Sequence, residues 1–146
     1  MNVDHLYRFI RTHRLAVVSS TSPSGHPQSA LVGIAVSPKL HIVFDTLKST
    51  RKYTNLKADP RTSLVIGWDS EITLQYEGLA LETQDESIRQ AQDLYFQTWP
   101  EGKERQLWPG ISWFLIIPTW IRYSDFNSGR IQEMVFPTGP ISPPNP

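Results

Sequence analysis

The sequence predicts an all-β fold with flanking helices, in which short antiparallel strands roll into a closed or split barrel. Three observations predict it. Short runs of β-branched and aromatic residues recur along the chain, separated by turns of Pro, Gly, Ser and Asp. Helical spacing is confined to three stretches, and most strand runs are joined by hairpin-length turns that make neighbours antiparallel. At 146 residues and 39% hydrophobic, the chain has the length of one domain and can bury its own core.

The elements follow in order. Leu6, Phe9, Ile10 and His13 share one face of a first helix, with Asn2 or Asp4 as its cap, placed to plug one end of the sheet. Residues 15–19 read as a strand, the run from Ser22 to Pro27 as a turn, and 29–37 as a second strand. Pro38 and Lys39 make a hairpin into a third strand at 40–46, which mixes β-branched, aromatic and polar residues as half-buried strands do. A short helix opens at Arg51, capped by Ser49 or Thr50, carries Tyr53, Leu56 and Lys57, and stops at Asp59-Pro60. Strands at 63–68 and 72–80 are joined by Asp69-Ser70-Glu71, with a bulge or close approach expected at Gly78. Residues 83–86 form a capping-box pattern before Ile88, Ala91, Leu94, Tyr95 and Trp99, and Pro100 ends that helix. A loop at 101–110 leads to strands at 112–117 and 120–126. Residues 1–136 are expected to form one domain, and 137–146 a Pro-rich tail with too few apolar side chains to pack.

Composition excludes several functions. Fourteen basic and 14 acidic residues give zero formal charge, so the broad positive field of nucleic-acid binding is missing, and with it an OB-like single-strand reader. Zero cysteines rule out disulfides and thiolate chemistry. No run has the length of a membrane span and the N-terminus has no leader pattern, so a cytoplasmic protein away from membranes is expected. His5, His13, His26 and His41 stand at no metal-ligand spacing, and no metal is expected.

Arg51 and Lys52 are the chemically informative pair. A helix N-terminus favours negative charge, so each cation in its first turn costs roughly 0.3 to 1 kcal/mol unless an anion sits among them. Phosphate is the natural guest. The alternative is a pair of solvated side chains.

The strand ending in Thr46, the run Thr50-Arg51-Lys52, then Asn55-Leu56 and Asp59-Pro60, resembles the FMN-binding split-barrel family that contains the pyridoxamine 5′-phosphate oxidases. The family's Gly-x-Pro turn into a strand is present as Gly25-His26-Pro27, and the likeness covers most of the chain. It implies a six-stranded antiparallel split β-barrel, a homodimer with FMN at the subunit interface, and flavin-dependent oxidoreduction of a small-molecule substrate. Cofactor contacts are implied for the main chain of Ala30, Leu31 and Val32, for Asp45, Thr46, Thr50, Arg51 and Lys52, and for Thr73 or Gln75. No catalytic side chain is implied, because a flavin carries the electron chemistry itself.

The sequence also departs from the oxidases. Ala30 and Ala35 stand where they carry Arg and Lys, Ser124 replaces a Trp, and of an Arg-x-His-x-Arg run only Arg130 remains. Pyridoxamine phosphate is therefore not the expected substrate. Two alternatives stay open: a reductase of the same fold using deazaflavin F420, and a non-catalytic flavin- or haem-binding or redox-sensing protein. Trp99, Trp108 and Trp113, around Lys103 and Arg105, either wall a ligand or pack ordinarily; ordinary packing is preferred.

Overall fold

The computed structural model describes residues 2–137, so the expected tail beyond Pro137 lies outside the described residues. The first helix, α1 (Val3–Thr12), is capped by Asn2, whose Oδ1 accepts from the His5 N–H at 2.8 Å. Leu6 and Ile10 point into the core. Strands β1 (Leu15–Thr21) and β2 (Pro27–Gly33) form a hairpin whose turn uses Gly25 at φ +89°.

The strand expected at 29–37 is broken. After Gly33, the Ile34 N–H donates to Arg14 O at 2.9 Å, and the chain then leaves β1 to form β3 (Ala35–Val36). Trp99 lies so close to Gly33 that a Cβ there would come within 2.9 Å of its ring. Next come β4 (Ile42–Leu47), α2 (Arg51–Ala58), β5 (Arg61–Ile66), β6 (Ile72–Glu82), α3 (Glu86–Thr98), β7 (Ile111–Asp125) and β8 (Arg130–Val135). The sheet runs β2-β1-β5-β6-β7-β4-β3, all antiparallel, so its two ends are consecutive pieces of one chain run. That is a split barrel.

Among the described residues, eight strands thus stand where six were expected. Six make the barrel when β2 and β3 count as one interrupted run, and β8 is an addition paired with β7 alone. The two strands expected at 112–117 and 120–126 are the single strand β7, which passes Pro118 through a bulge: Glu77 faces Trp120 while Gly78 faces Pro118. The bulge tolerates Pro118, which has no N–H to give. It also confirms Gly78 as a point of close approach.

Two further expectations are corrected. The capping box at 83–86 does not form, because the Thr83 hydroxyl donates instead to Trp113 O at 2.9 Å; Asp85, at φ +54°, takes the cap position without a side-chain bond. Residues expected as a loop include a 3₁₀ helix, Pro100–Leu107.

Two cores result. The barrel interior joins Leu6 and Ile10 of α1 and Leu56 of α2 to Phe44, Leu74, Tyr76, Phe114 and Ile121, and the Tyr76 hydroxyl donates to Leu40 O at 2.9 Å. Outside the barrel, Ala91 and Tyr95 of α3 pack on Val43, Trp113 and Leu115. Alternate residues of β4 thus serve different cores. No helix among the described residues is long and apolar enough to cross a membrane.

Candidate functional site

The site begins with how α2 starts. Thr50 is its cap: Oγ1 accepts from the Tyr53 N–H at 3.4 Å and donates its one proton to Leu47 O at 2.9 Å. Thr46 Oγ1 lies 2.7 Å from Thr50 Oγ1 and must therefore be the donor between them. Both hydroxyls are spent on holding the helix start, and Thr46 is buried beneath it.

No acidic residue occupies the first turn of α2. Arg51 and Lys52 have no ion-pair partner among the described residues. They line a cleft of about 100 Å³ with Val18 and Ser20 of β1 and Gln28, Ser29 and Ala30 of β2. Burial pushes the Lys52 ammonium below the ordinary lysine range, and the nearby Asp45 charge opposes that shift only in part. An anion placed there would favour the charged form.

The second wall of the cleft is a sheet edge. The Ser22 N–H donates to His26 O at 2.8 Å and the Ile34 N–H to Arg14 O at 2.9 Å, at opposite ends of the β1–β2 ladder. In an antiparallel ladder that alternation assigns the main-chain groups of Gln28, Ala30 and Val32 to β1 and leaves those of Ser29 and Leu31 facing away. Among the described residues the sheet order gives β2 no second neighbour. Of the three residues expected to present main-chain groups, only Leu31 directs them outward.

Asp45, although close enough to act on Lys52, does not line this cleft. Thr46 faces inward and Asp45 outward, where its carboxylate accepts from Arg105 Nε at 2.8 Å, and Arg105 also donates to the Tyr95 hydroxyl at 2.6 Å. Burial, followed by the Asp45 charge, pushes Tyr95 up to about 12. Thr73 and Gln75 lie in β6, three strands from β2 in the sheet. Gln75 nevertheless belongs to one outer-face row, Leu31–Val17–Val65–Gln75–Arg122, in which Leu31 is 60% and Val65 40% exposed.

Ordinary packing accounts for most of the Trp-rich segment. Trp113 is buried under α3, and Trp99 donates Nε1 to Ile34 O at 2.9 Å beneath the Arg14 guanidinium, 3.9 Å from its ring; Trp108 is half exposed. Ser124 is buried in β7, and Arg130 opens β8 on the surface. Among the described residues no group of three or more His, Cys, Asp or Glu is placed to hold a metal.

Ser20 and Gln28 belong to the site but were missed from the sequence, and Asn55 was read there only as part of the family pattern. Asn55 is buried on α2, and its Nδ2 donates to Ser20 Oγ at 3.0 Å and to Gln28 Oε1 at 2.9 Å. The one sequence signal was period two, which puts Gln28 on the same face as Ala30.

Known proteins agree with this architecture. The family model described as pyridoxamine 5′-phosphate oxidase matches residues 3–125. A pyridoxine/pyridoxamine 5′-phosphate oxidase of Rubrobacter xylanophilus is 30% identical over 93 residues, 63% of this chain and 41% of that protein. The chain thus spans about two fifths of that relative's length. A heme binding protein from Mycobacterium smegmatis superposes with TM-score 0.80 at 15% identity, covering 92% of this chain and 58% of that one. The General Stress Protein 26 of Bacillus anthracis does so with TM-score 0.69 at 19% identity, covering 90% and 98%. At these identities the two structures share the fold.

Proposed function

The chain belongs to the pyridoxamine 5′-phosphate oxidase family, and from that premise we propose that it binds FMN and is a flavin-dependent oxidoreductase acting on a small molecule other than pyridoxamine phosphate. One observation carries the proposal: two cations with no ion-pair partner among the described residues at the start of α2, facing a cleft of phosphate size. Arg51 offers a guanidinium fork to phosphate oxygens and Lys52 a point charge, the two complementary ways of holding a phosphoryl group. A cleft of about 100 Å³ takes the phosphate and not the ring, which would extend along the free edge of β2 and meet the outward main-chain groups of Leu31. A flavin bound there supplies hydride and electron exchange. The chain's own residues bind, orient and limit access to it.

The homodimer belongs to the same proposal. Leu31 and Val65 expose apolar surface in one outer-face row beside the open edge, which a second copy would cover. Sedimentation at micromolar concentration tests this, and a monomer contradicts it.

Haem is the competing ligand, because the Mycobacterium smegmatis neighbour is a heme binding protein. The cleft is lined by Val18, Ser20, Gln28, Ser29, Ala30, Arg51 and Lys52. None of these is a His, Cys, Met or Tyr, the usual haem ligands, and an anion cradle suits phosphate. Visible absorption of the freshly purified protein, with mass identification of whatever heating releases, tests the assignment. FMN in the released fraction supports it; F420 or haem replaces it, and a colourless protein that takes up no added flavin removes it.

A further inference from the structure

The cleft wall facing Arg51 and Lys52 contains a polar device that the cofactor reading does not use. Asn55, 3% exposed, gives both Nδ2 protons to that wall, one to Ser20 Oγ and one to Gln28 Oε1. Each gift fixes a polarity. Gln28 has its carbonyl oxygen occupied, so its Nε2 protons are the part left for the cleft it lines. Ser20, 6% exposed, accepts from Asn55 and keeps its own hydroxyl proton unspent among the described residues. Nearby Ala30 contributes no polar atom.

We propose that Gln28 and Ser20 are further anion-binding residues of this cleft, and that Asn55 is the positioning residue that makes their wall donate rather than accept. With Arg51 and Lys52 opposite, the cleft then offers hydrogen-bond donors from two sides, the requirement of a phosphate-type dianion and not of a neutral polar group. The opposite orientation shows what is at stake. If the Asn55 amide were reversed, its oxygen would accept from Gln28 Nε2 and from the Ser20 hydroxyl, and Gln28 would present its carbonyl oxygen to the anion. The inference builds on the phosphate reading and adds who completes the cradle and what sets its sign.

The test uses the full chain, with FMN (by fluorescence quenching) and orthophosphate (by calorimetry) as separate probes. Gln28→Leu, which removes the donor and adds no charge, should weaken both about tenfold or more. Asn55→Asp keeps shape and both contacts with reversed polarity, and should weaken binding further while hydrogen exchange shows α2 still protected. Asn55→Ala should make Gln28→Leu nearly silent, because Asn55 acts through Gln28. If the wild type binds orthophosphate but not FMN, the donor wall stands and the flavin reading falls. If FMN binds and Gln28→Leu stays within about twofold of wild type, the donor wall falls and the flavin reading stands. Loss of α2 protection in Gln28→Leu would reduce Gln28 to a structural residue and overturn the inference.

Discussion

The two faces of β4 treat positive charge in opposite ways. On the α3 side, Arg105 lies 2.8 Å from the Asp45 carboxylate and 2.6 Å from the Tyr95 hydroxyl, while Arg14 covers Trp99 and bonds Glu101 at 3.0 Å. On the α2 side, Arg51 and Lys52 form no ion pair among the described residues, although Asp45 is the next residue in the chain to Thr46 beneath them. Every cation of the first pair is matched within the chain, so its work is finished when folding ends. The second pair stands at a helix end that already repels it and has no ion-pair partner among the described residues, the setting in which an anion binds.

The sharpest way to break this contrast is to remove the unmatched pair. Arg51→Ala with Lys52→Ala deletes two charge-assisted contacts, and FMN affinity should fall on the order of a hundredfold or more. Circular dichroism should show an unchanged fold, and full cofactor retention in the double variant would falsify the phosphate assignment. The converse is Arg105→Ala, which leaves Asp45 partly buried and unpaired. We expect about 2 kcal/mol of lost stability in chemical denaturation, below the range for a fully buried pair because Arg105 is partly solvated. FMN affinity of the folded variant should be unchanged; a large loss would mean that the α3 side also serves the site.

Gly33→Ala probes the same side at the barrel's break. Its Cβ would meet a Trp99 ring pinned at both ends, by Ile34 O and by the Arg14 guanidinium, at a cost of about 1 to 2 kcal/mol. An unchanged denaturation midpoint would show that Trp99 gives way freely. The smallest effect is expected in pH dependence. Lys52 starts below the ordinary 10.5, and an anion favours its charged form, so flavin affinity should fall as pH rises through that lowered value. For stability the sign reverses. Between the lowered value and 10.5 the unfolded chain holds the extra proton, so the folded state gains as pH rises. A flat affinity profile in wild type that matches Lys52→Met would remove Lys52 from the binding step.

Much of the fold was legible locally. The cap and stop of α2 and the hairpin turn at Gly25 each depend on residues close in sequence, and the bulge at Gly78 was signalled by the glycine itself although it faces Pro118 across the sheet. The break between β2 and β3 was not legible, because the residue that packs on it is distant: Trp99, just past α3, lies against Gly33 and donates Nε1 to Ile34 O. The failed capping box has the same origin: Thr83 had a local partner available but found the Trp113 carbonyl across the sheet. At the site, Arg51 and Lys52 stood out because they violate a local rule. Gln28 and Ser20 violate none, and their role depends on Asn55, 27 and 35 residues away.

By itself, the sequence determined that three helices and a series of antiparallel strands form, where α2 begins and ends, and which two cations lack a local reason for their place. Backbone propensity, capping and side-chain period act over a few residues, so a short stretch contains all that decides them. Tertiary structure alone decided that Asp45 is matched and turned away, that the open edge of β2 lies beside Lys52, and that the cleft wall is made of Gln28 and Ser20. Those outcomes rest on contacts between elements distant in the chain, which exist only once the sheet has curled and brought its two ends together.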